Sequence, residues 1–177
     1  MTETANIILS ALTMLAQIAI ALIVIQTLFP NKAIAKATNI LINEHNAILA
    51  AFAIALLSTI GSLFYSEIAK FQPCELCWFQ RIFMYPQVIL LGIALAKKES
   101  KIIDYSLGLA SVGILFSLYQ NFLIYTASKS SICGISAVSC TTKVVLGLGY
   151  VTIPLMALTA FSFIIAIFLL TKFNKKN

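Results

Sequence analysis

A chain of 177 residues that is 60% hydrophobic and only 10% charged, with a mean hydropathy of +0.98, cannot be a soluble domain. Such domains keep roughly a quarter of their residues charged. The net charge of +6 does not indicate nucleic acid, because the lysines sit in short connections between apolar blocks and no basic face is interleaved with exposed aromatics.

Five blocks are long enough to cross the roughly 30 Å hydrocarbon layer, which takes about 20 helical residues. In chain order they run approximately Ile7–Phe29, Ala47–Tyr65, Cys77–Ala96, Tyr105–Ala127 and Leu148–Thr171. Closed β-barrels need alternating ten-residue segments, and none is present. The expected fold is therefore an all-α integral membrane protein, an up-and-down transmembrane helix bundle, with no soluble domain of appreciable size. The first block resembles a secretory signal with Ala33-Ile34-Ala35 as its cleavage site. No lysine or arginine precedes it, however, and Lys32 and Lys36 follow it, so an uncleaved helix inserted N-terminus out is expected. Small residues at Ala51, Ala53, Ala55, Gly108 and Gly113 would allow close helix contacts, and Pro86 and Pro154 are expected inside spans as tolerated kinks.

Orientation follows from the cations. Lys32, Lys36, Lys97, Lys98, Lys101, Lys172, Lys175 and Lys176 share one set of connections; Lys70, Arg81, Lys129 and Lys143 share the other. The richer set marks the cytoplasm, with the C-terminus inside. By this count Cys74, Cys77, Cys133 and Cys140 all fall on the outer side, where disulfides persist. None lies deep in a span, so two redox pairs are the favoured reading. The alternative is a membrane scaffold with a four-cysteine zinc site on its outer face, although the gap between Cys133 and Cys140 exceeds the usual zinc-knuckle spacing.

Cys74-Glu75-Leu76-Cys77 opens the third span. With Pro73 as the first helical residue, free backbone N–H groups and the helix dipole would favour a thiolate there. At about 100° per residue Cys74, Cys77, Trp78, Arg81 and Tyr85 share a face. A guanidinium entering hydrocarbon is costly, so Arg81 is expected to hold a polar head group or stabilise negative charge. Snorkelling to lipid phosphate is its bland alternative. Trp78 and Tyr85 read mainly as interfacial anchors.

The string from Pro73 to Pro86, Pro-Cys-Glu-Leu-Cys-Trp-Phe-Gln-Arg-Ile-Phe-Met-Tyr-Pro, resembles the signature of the DsbB family, and its shorter BdbC-type branch most of all. The later segment from Cys140-Thr-Thr-Lys to Gly149-Tyr-Val-Thr-Ile-Pro154-Leu is similar to the end of that branch's second outer loop. The resemblance covers roughly His45 to Lys172. It implies a DsbB-like four-helix redox core over residues 45–177, preceded by an extra transmembrane helix and cytoplasmic connection over residues 1–44. It further implies a bacterial cytoplasmic-membrane enzyme that reoxidises a soluble DsbA-like thioredoxin-fold protein and passes electrons to membrane quinone, ubiquinone or menaquinone. On that likeness Cys133 would be attacked by the partner and Cys140 would resolve the mixed disulfide. Cys74 and Cys77 would receive the electrons, with Cys77 facing the quinone and Arg81 matching the quinone-site arginine. No metal is implied.

The chain differs from the better-studied branch in three ways. The second cysteine pair is closely spaced, Gln80 stands where an acidic residue is common, and His45 falls at the cytoplasmic end as a solvated residue. A vitamin K epoxide reductase-like arrangement would place the cysteine pairs in the opposite order. Tyr119, Gln120, Asn121 and Tyr125 cluster near the outer end of the fourth span, where interhelical hydrogen bonding or exposure at the interface is the favoured role and lining of a quinone pocket the alternative. Glu67, Lys70 and Glu75 are expected on the outer rim and Glu44, Glu99 and Asp104 on the inner one.

Overall fold

In the computed structural model, residues 2–28, 43–126, 140, 145–147 and 150–176 are described. Five helices, each long and apolar enough to cross a membrane, account for most of them: α1 (Thr2–Leu28), α2 (Glu44–Leu63), α3 (Glu75–Lys97), α4 (Ile102–Thr126) and α5 (Ile153–Lys176). The outward faces carry large apolar side chains such as Ile7, Leu15, Ile89 and Leu115, as a lipid-facing surface should. The chain is a multi-pass membrane protein.

Helices α2 to α5 pack in a ring, α2 on α3, α3 on α4, α4 on α5 and α5 back on α2, and α1 lies chiefly against α5. The core is built on Phe161, Ile164, Ile167 and Phe168 of α5 with Leu91 of α3 and Ala47, Ala51 and Ala55 of α2. Gly113 admits the Phe161 ring: a Cβ there would stand 2.4 Å from it. Gly108 has nothing within 4 Å of a built Cβ, and Ala53 is exposed, so these two small residues do not serve packing.

Several boundaries differ from expectation. Cys74 is the N-cap of α3, with extended backbone at φ −74° and ψ 172°, so Pro73 precedes the helix rather than starting it. The first helical residue is Glu75, two positions later than expected. The last helix starts at Ile153, not Leu148. The preceding residues form a small antiparallel hairpin of β1 (Val145–Gly147) with β2 (Val151–Thr152), consistent with the extended preference of the β-branched Val151 and Thr152. Pro154 then falls in the first turn of α5, where its missing N–H costs no helical bond, and it makes no mid-span kink. Pro86 does lie inside α3.

At its far end α2 widens into a π-helical turn, Phe64–Ile68, in which Ala69 N–H reaches back to Phe64 O at 3.0 Å. Such turns are often found at functional sites. Here the turn begins two residues after Ser62. At the opposite end of the bundle Asn43 caps α2, accepting from His45 N–H at 3.2 Å, and His45 is exposed. Asp104 pairs there with Lys172, and Ser100 donates to Glu44.

Candidate redox site and cavity

Capping geometry places the two thiols. With Cys74 at the N-cap, Cys77 occupies the third helical position and its sulfur turns back over the first. The sulfurs are 2.9 Å apart, in contact as two free thiols. Cys140 is disulfide-bonded and belongs to the same buried cluster as Cys74, Leu76 and Leu123, with Cys77 and Phe116 packed against it. Cys140, distant in sequence, thus joins Cys74 and Cys77 at one end of the bundle. Cys133, with Lys129 and Lys143, lies outside the described residues, as do Lys32 and Lys36 and the side chains of Lys175 and Lys176.

The neighbouring sulfur sets the chemistry of Cys74. Its hydrogen bond with the Cys77 sulfur, and then desolvation, hold the thiol above its ordinary pKa, overriding the N–H groups of Leu76 and Cys77 that favour the thiolate.

The sulfurs rest on an amide relay, of which the sequence offered Gln120 as an alternative pocket residue and left Gln80 without a role. Gln120 of α4, 2% exposed, directs Nε2 at Cys74 Sγ (3.1 Å) and Cys77 Sγ (3.4 Å), while its Oε1 accepts from Gln80 Nε2 at 2.7 Å. Gln80 is one turn beyond Cys77 on α3 and is also buried. The available signal was that two amides inside spans must find partners in a dry interior. The rest of the expected cluster separates: Asn121 donates to Ser117 O of its own helix at 2.8 Å, and Tyr119 and Tyr125 face outward.

Arg81 stands one turn below Cys77. Its Nε donates to Ser62 Oγ (2.9 Å), its Nη2 to Ser62 O (3.1 Å), and its guanidinium carbon lies 5.2 Å from the Trp78 ring centroid. Tyr85 Oη also donates to Ser62 Oγ, at 3.3 Å. Arg81 is thus fastened to α2 rather than stretched toward the surface, Tyr85 shares its serine, and Trp78 is exposed above them. Among the rim residues Glu67 and Lys70 are exposed, but both Glu75 carboxylate oxygens are covered and without a hydrogen-bond partner. Glu75 sits in the first turn of α3, where the helix dipole favours its charge.

A cavity of about 680 Å³ opens beside these groups. Cys74, Cys77, Cys140, Gln80, Gln120 and Arg81 line one part of it, with Lys70 and Gln72 beside them, and mainly apolar residues of α1, α2 and α5 line the remainder. An apolar chamber with a fixed cation and a dithiol at one end suits a planar, weakly polar molecule with acceptor oxygens. Among the described residues no three His, Cys, Asp or Glu side chains are grouped to hold a metal. The disulfide at Cys140 also takes one thiolate from a four-cysteine set.

Residues 44–171 match the family described as Disulfide bond formation protein DsbB. The chain belongs to the DsbB family. It is 47% identical over 122 residues to Probable disulfide formation protein C of Bacillus cereus, covering 67% of this chain and 86% of that protein. It is 40% identical over 130 residues to Disulfide bond formation protein C of Bacillus subtilis, covering 72% and 94%. A Probable disulfide formation protein of Chlamydia pneumoniae is 41% identical over 127 residues, covering 71% and 91%. No solved structure matches the chain. This DsbB-family chain is a membrane thiol–disulfide oxidoreductase, and the BdbC-type resemblance drawn from the Pro73–Pro86 string agrees with its relatives.

Proposed function

We propose that the protein makes disulfides for exported proteins by reoxidising a DsbA-like thioredoxin-fold dithiol and delivering the electrons to a membrane quinone. The observation that carries this reading is the gathering of Cys74, Cys77 and Cys140 beside an apolar cavity with Arg81 fixed in its wall. The names of the relatives, which speak of disulfide formation, support it. The cation distribution supports a bacterial cytoplasmic membrane with the N-terminus and the cysteines outside and the C-terminus inside. Residues 45–177 would form the four-helix redox core and residues 1–44 an addition to it.

In this mechanism Cys133 and Cys140 form the disulfide that meets the partner. A partner thiolate attacks Cys133 Sγ, and Cys140 leaves as the thiolate. The partner's second thiol then resolves the mixed disulfide, releasing oxidised partner and the Cys133 thiolate. Cys140 therefore does not resolve that bond, the role that the family likeness implied for it. It attacks Cys74 of an oxidised Cys74–Cys77 pair, and Cys77 leaves as the thiolate. Cys133 attacks Cys140 next, restoring the Cys133–Cys140 bond and freeing Cys74. The result would be a reduced Cys74/Cys77 pair beside a restored Cys133–Cys140 disulfide.

Quinone bound in the cavity would take up two electrons and two protons, returning Cys74 and Cys77 to the disulfide. Arg81 would hold its oxygen end, with Ser62 fixing the guanidinium. Gln120 would support whichever sulfur is ionised, and the surrounding apolar walls would exclude water. The test is oxidation of a reduced thioredoxin-fold partner by purified protein, expected only when quinone is supplied. Normal steady-state turnover after Cys77→Ser would rule the mechanism out.

A further inference from the structure

The family match begins at residue 44, so α1 is the element it leaves without a role. Leu9, Leu12, Thr13, Ala16 and Ala19 recur at helical spacing on one stripe of α1, and all of them line the cavity. Across from them stand Ile54 and Leu57 of α2 and Ala157 and Ala160 of α5. The stripe is fastened at both ends. Tyr65 Oη donates to Asn6 Oδ1 at 2.9 Å on one side. On the other, Gln17 Nε2 donates to Thr159 Oγ1 at 3.2 Å and Gln17 Oε1 accepts from Tyr150 Oη at 3.1 Å.

The cavity therefore has two chemically unlike parts. Sulfurs, amides and the guanidinium make one; the other is a trough between α1, α2 and α5. Both threonine hydroxyls in the trough are already committed, Thr13 Oγ1 to Leu9 O at 2.7 Å and Thr159 Oγ1 to Leu155 O at 2.9 Å, which leaves Ser58 as a further hydroxyl side chain there. Such a lining offers little to a polar ligand and suits hydrocarbon. A volume of about 680 Å³ lies within the range that houses a drug-sized molecule, more than a single quinone ring fills.

We propose that α1 is a specificity-determining wall of the acceptor site, holding the isoprenoid tail of the quinone in this trough while the ring lies by Cys77 and Arg81. The inference rests on the quinone reading above and adds a role for a helix outside the family match. The trough is continuous with the Arg81 part of the cavity, which ties its occupant to the molecule whose ring is held there. Without α1 that side would stand open to lipid.

The test uses the full chain in lipid nanodiscs and a ubiquinone analogue with a diazirine at the far end of its tail. Irradiation and peptide mapping should place the label in the segment before Lys32. Ala16→Trp, which fills the trough, should cut that labelling and raise the KM for the tailed quinone about tenfold while leaving the KM for a tail-less ring unchanged. Ala11→Trp, on the exposed side of α1, should behave as wild type in both measurements. If Ala16→Trp does not accumulate, Ala16→Leu and the wild-type label still decide. Labelling confined to α2–α5, or an equal change for both quinones, would overturn the inference. Failure of the wild type to reduce even the tail-less ring would instead sink the quinone reading, and the label position would still report on α1.

Discussion

Two buried amides on α3, seven residues apart, meet α4 with opposite consequences. Gln87, fully buried, donates to Phe83 O at 3.1 Å and accepts from Ser106 Oγ at 2.8 Å, so its bonds close within one small group. Gln80 bonds to Gln120, and Gln120 bonds to sulfur, so this second layer ends on atoms whose charge changes during the reaction. A polar residue inside a membrane helix is therefore a weak pointer to function by itself. The chemistry of whatever it touches decides.

The sharpest way to break this comparison is Gln120→Leu. It strands the Gln80 amide and removes the donor at both sulfurs, which should cost about 1–3 kcal/mol of stability. Losing comparable support for an ionised sulfur should slow partner oxidation by about tenfold, since 1.36 kcal/mol is a factor of ten. Thermal unfolding and turnover, measured together, check it. Unchanged turnover would reduce the Gln80–Gln120 layer to the status of the Gln87–Ser106 layer.

Next in size is Ser62→Ala, which leaves Arg81 without its hydroxyl partner while the Ser62 carbonyl contact can remain. Ser62 acts through Arg81, as a positioning residue. The KM for quinone should rise several-fold, about threefold to tenfold, with kcat nearly constant. Ser62→Thr should restore it, and a fall in kcat alone would contradict the assignment.

The features legible in the sequence share a physical basis. Five spans were readable because hydrocarbon demands long apolar runs, and the Cys74/Cys77/Arg81 alignment because helical spacing fixes angular position. The Ser62 and Gln120 contacts were not readable, since they depend on how α2 and α4 rotate about their axes against α3. Packing sets that rotation: Phe161 entering the gap at Gly113, and Phe79 and Phe83 stacking on Phe116 with centroids 4.9 and 5.7 Å apart. The hairpin before α5 was likewise hidden, because an apolar strand at a membrane surface continues the composition of the span that follows.

The thiols also give the outer layer a pH dependence that the inner layer lacks. Cys74 keeps its proton in the folded, reduced protein above the ordinary thiol pKa of about 8.5, through its bond to Cys77 and its burial. Above that pH the unfolded chain releases a proton the folded one retains, so the unfolded state binds fewer protons and stability falls as pH rises. At lower pH both states are protonated and the contribution of this group is constant. Unfolding of the reduced protein above about pH 9, where the ordinary thiol pKa has been passed, should show the decline, and protein with Cys74 and Cys77 oxidised should lack this component. An identical slope in both forms would mean that other groups cause it.

Gln87→Leu should produce the smallest change. It removes the acceptor for Ser106, whose hydroxyl can turn to a carbonyl of its own helix, as Ser117 does to Gly113 O at 3.1 Å. The loss should then be near the 0.6 kcal/mol average for hydrogen bonds between membrane helices, about a tenth of what would be needed to unfold a typical domain. Turnover and quinone KM should stay at wild-type values, because nothing in this layer reaches the sulfurs or the cavity. A clear loss of turnover from Gln87→Leu at unchanged stability would show that the two layers are coupled along α3, and the independence argued here would fall.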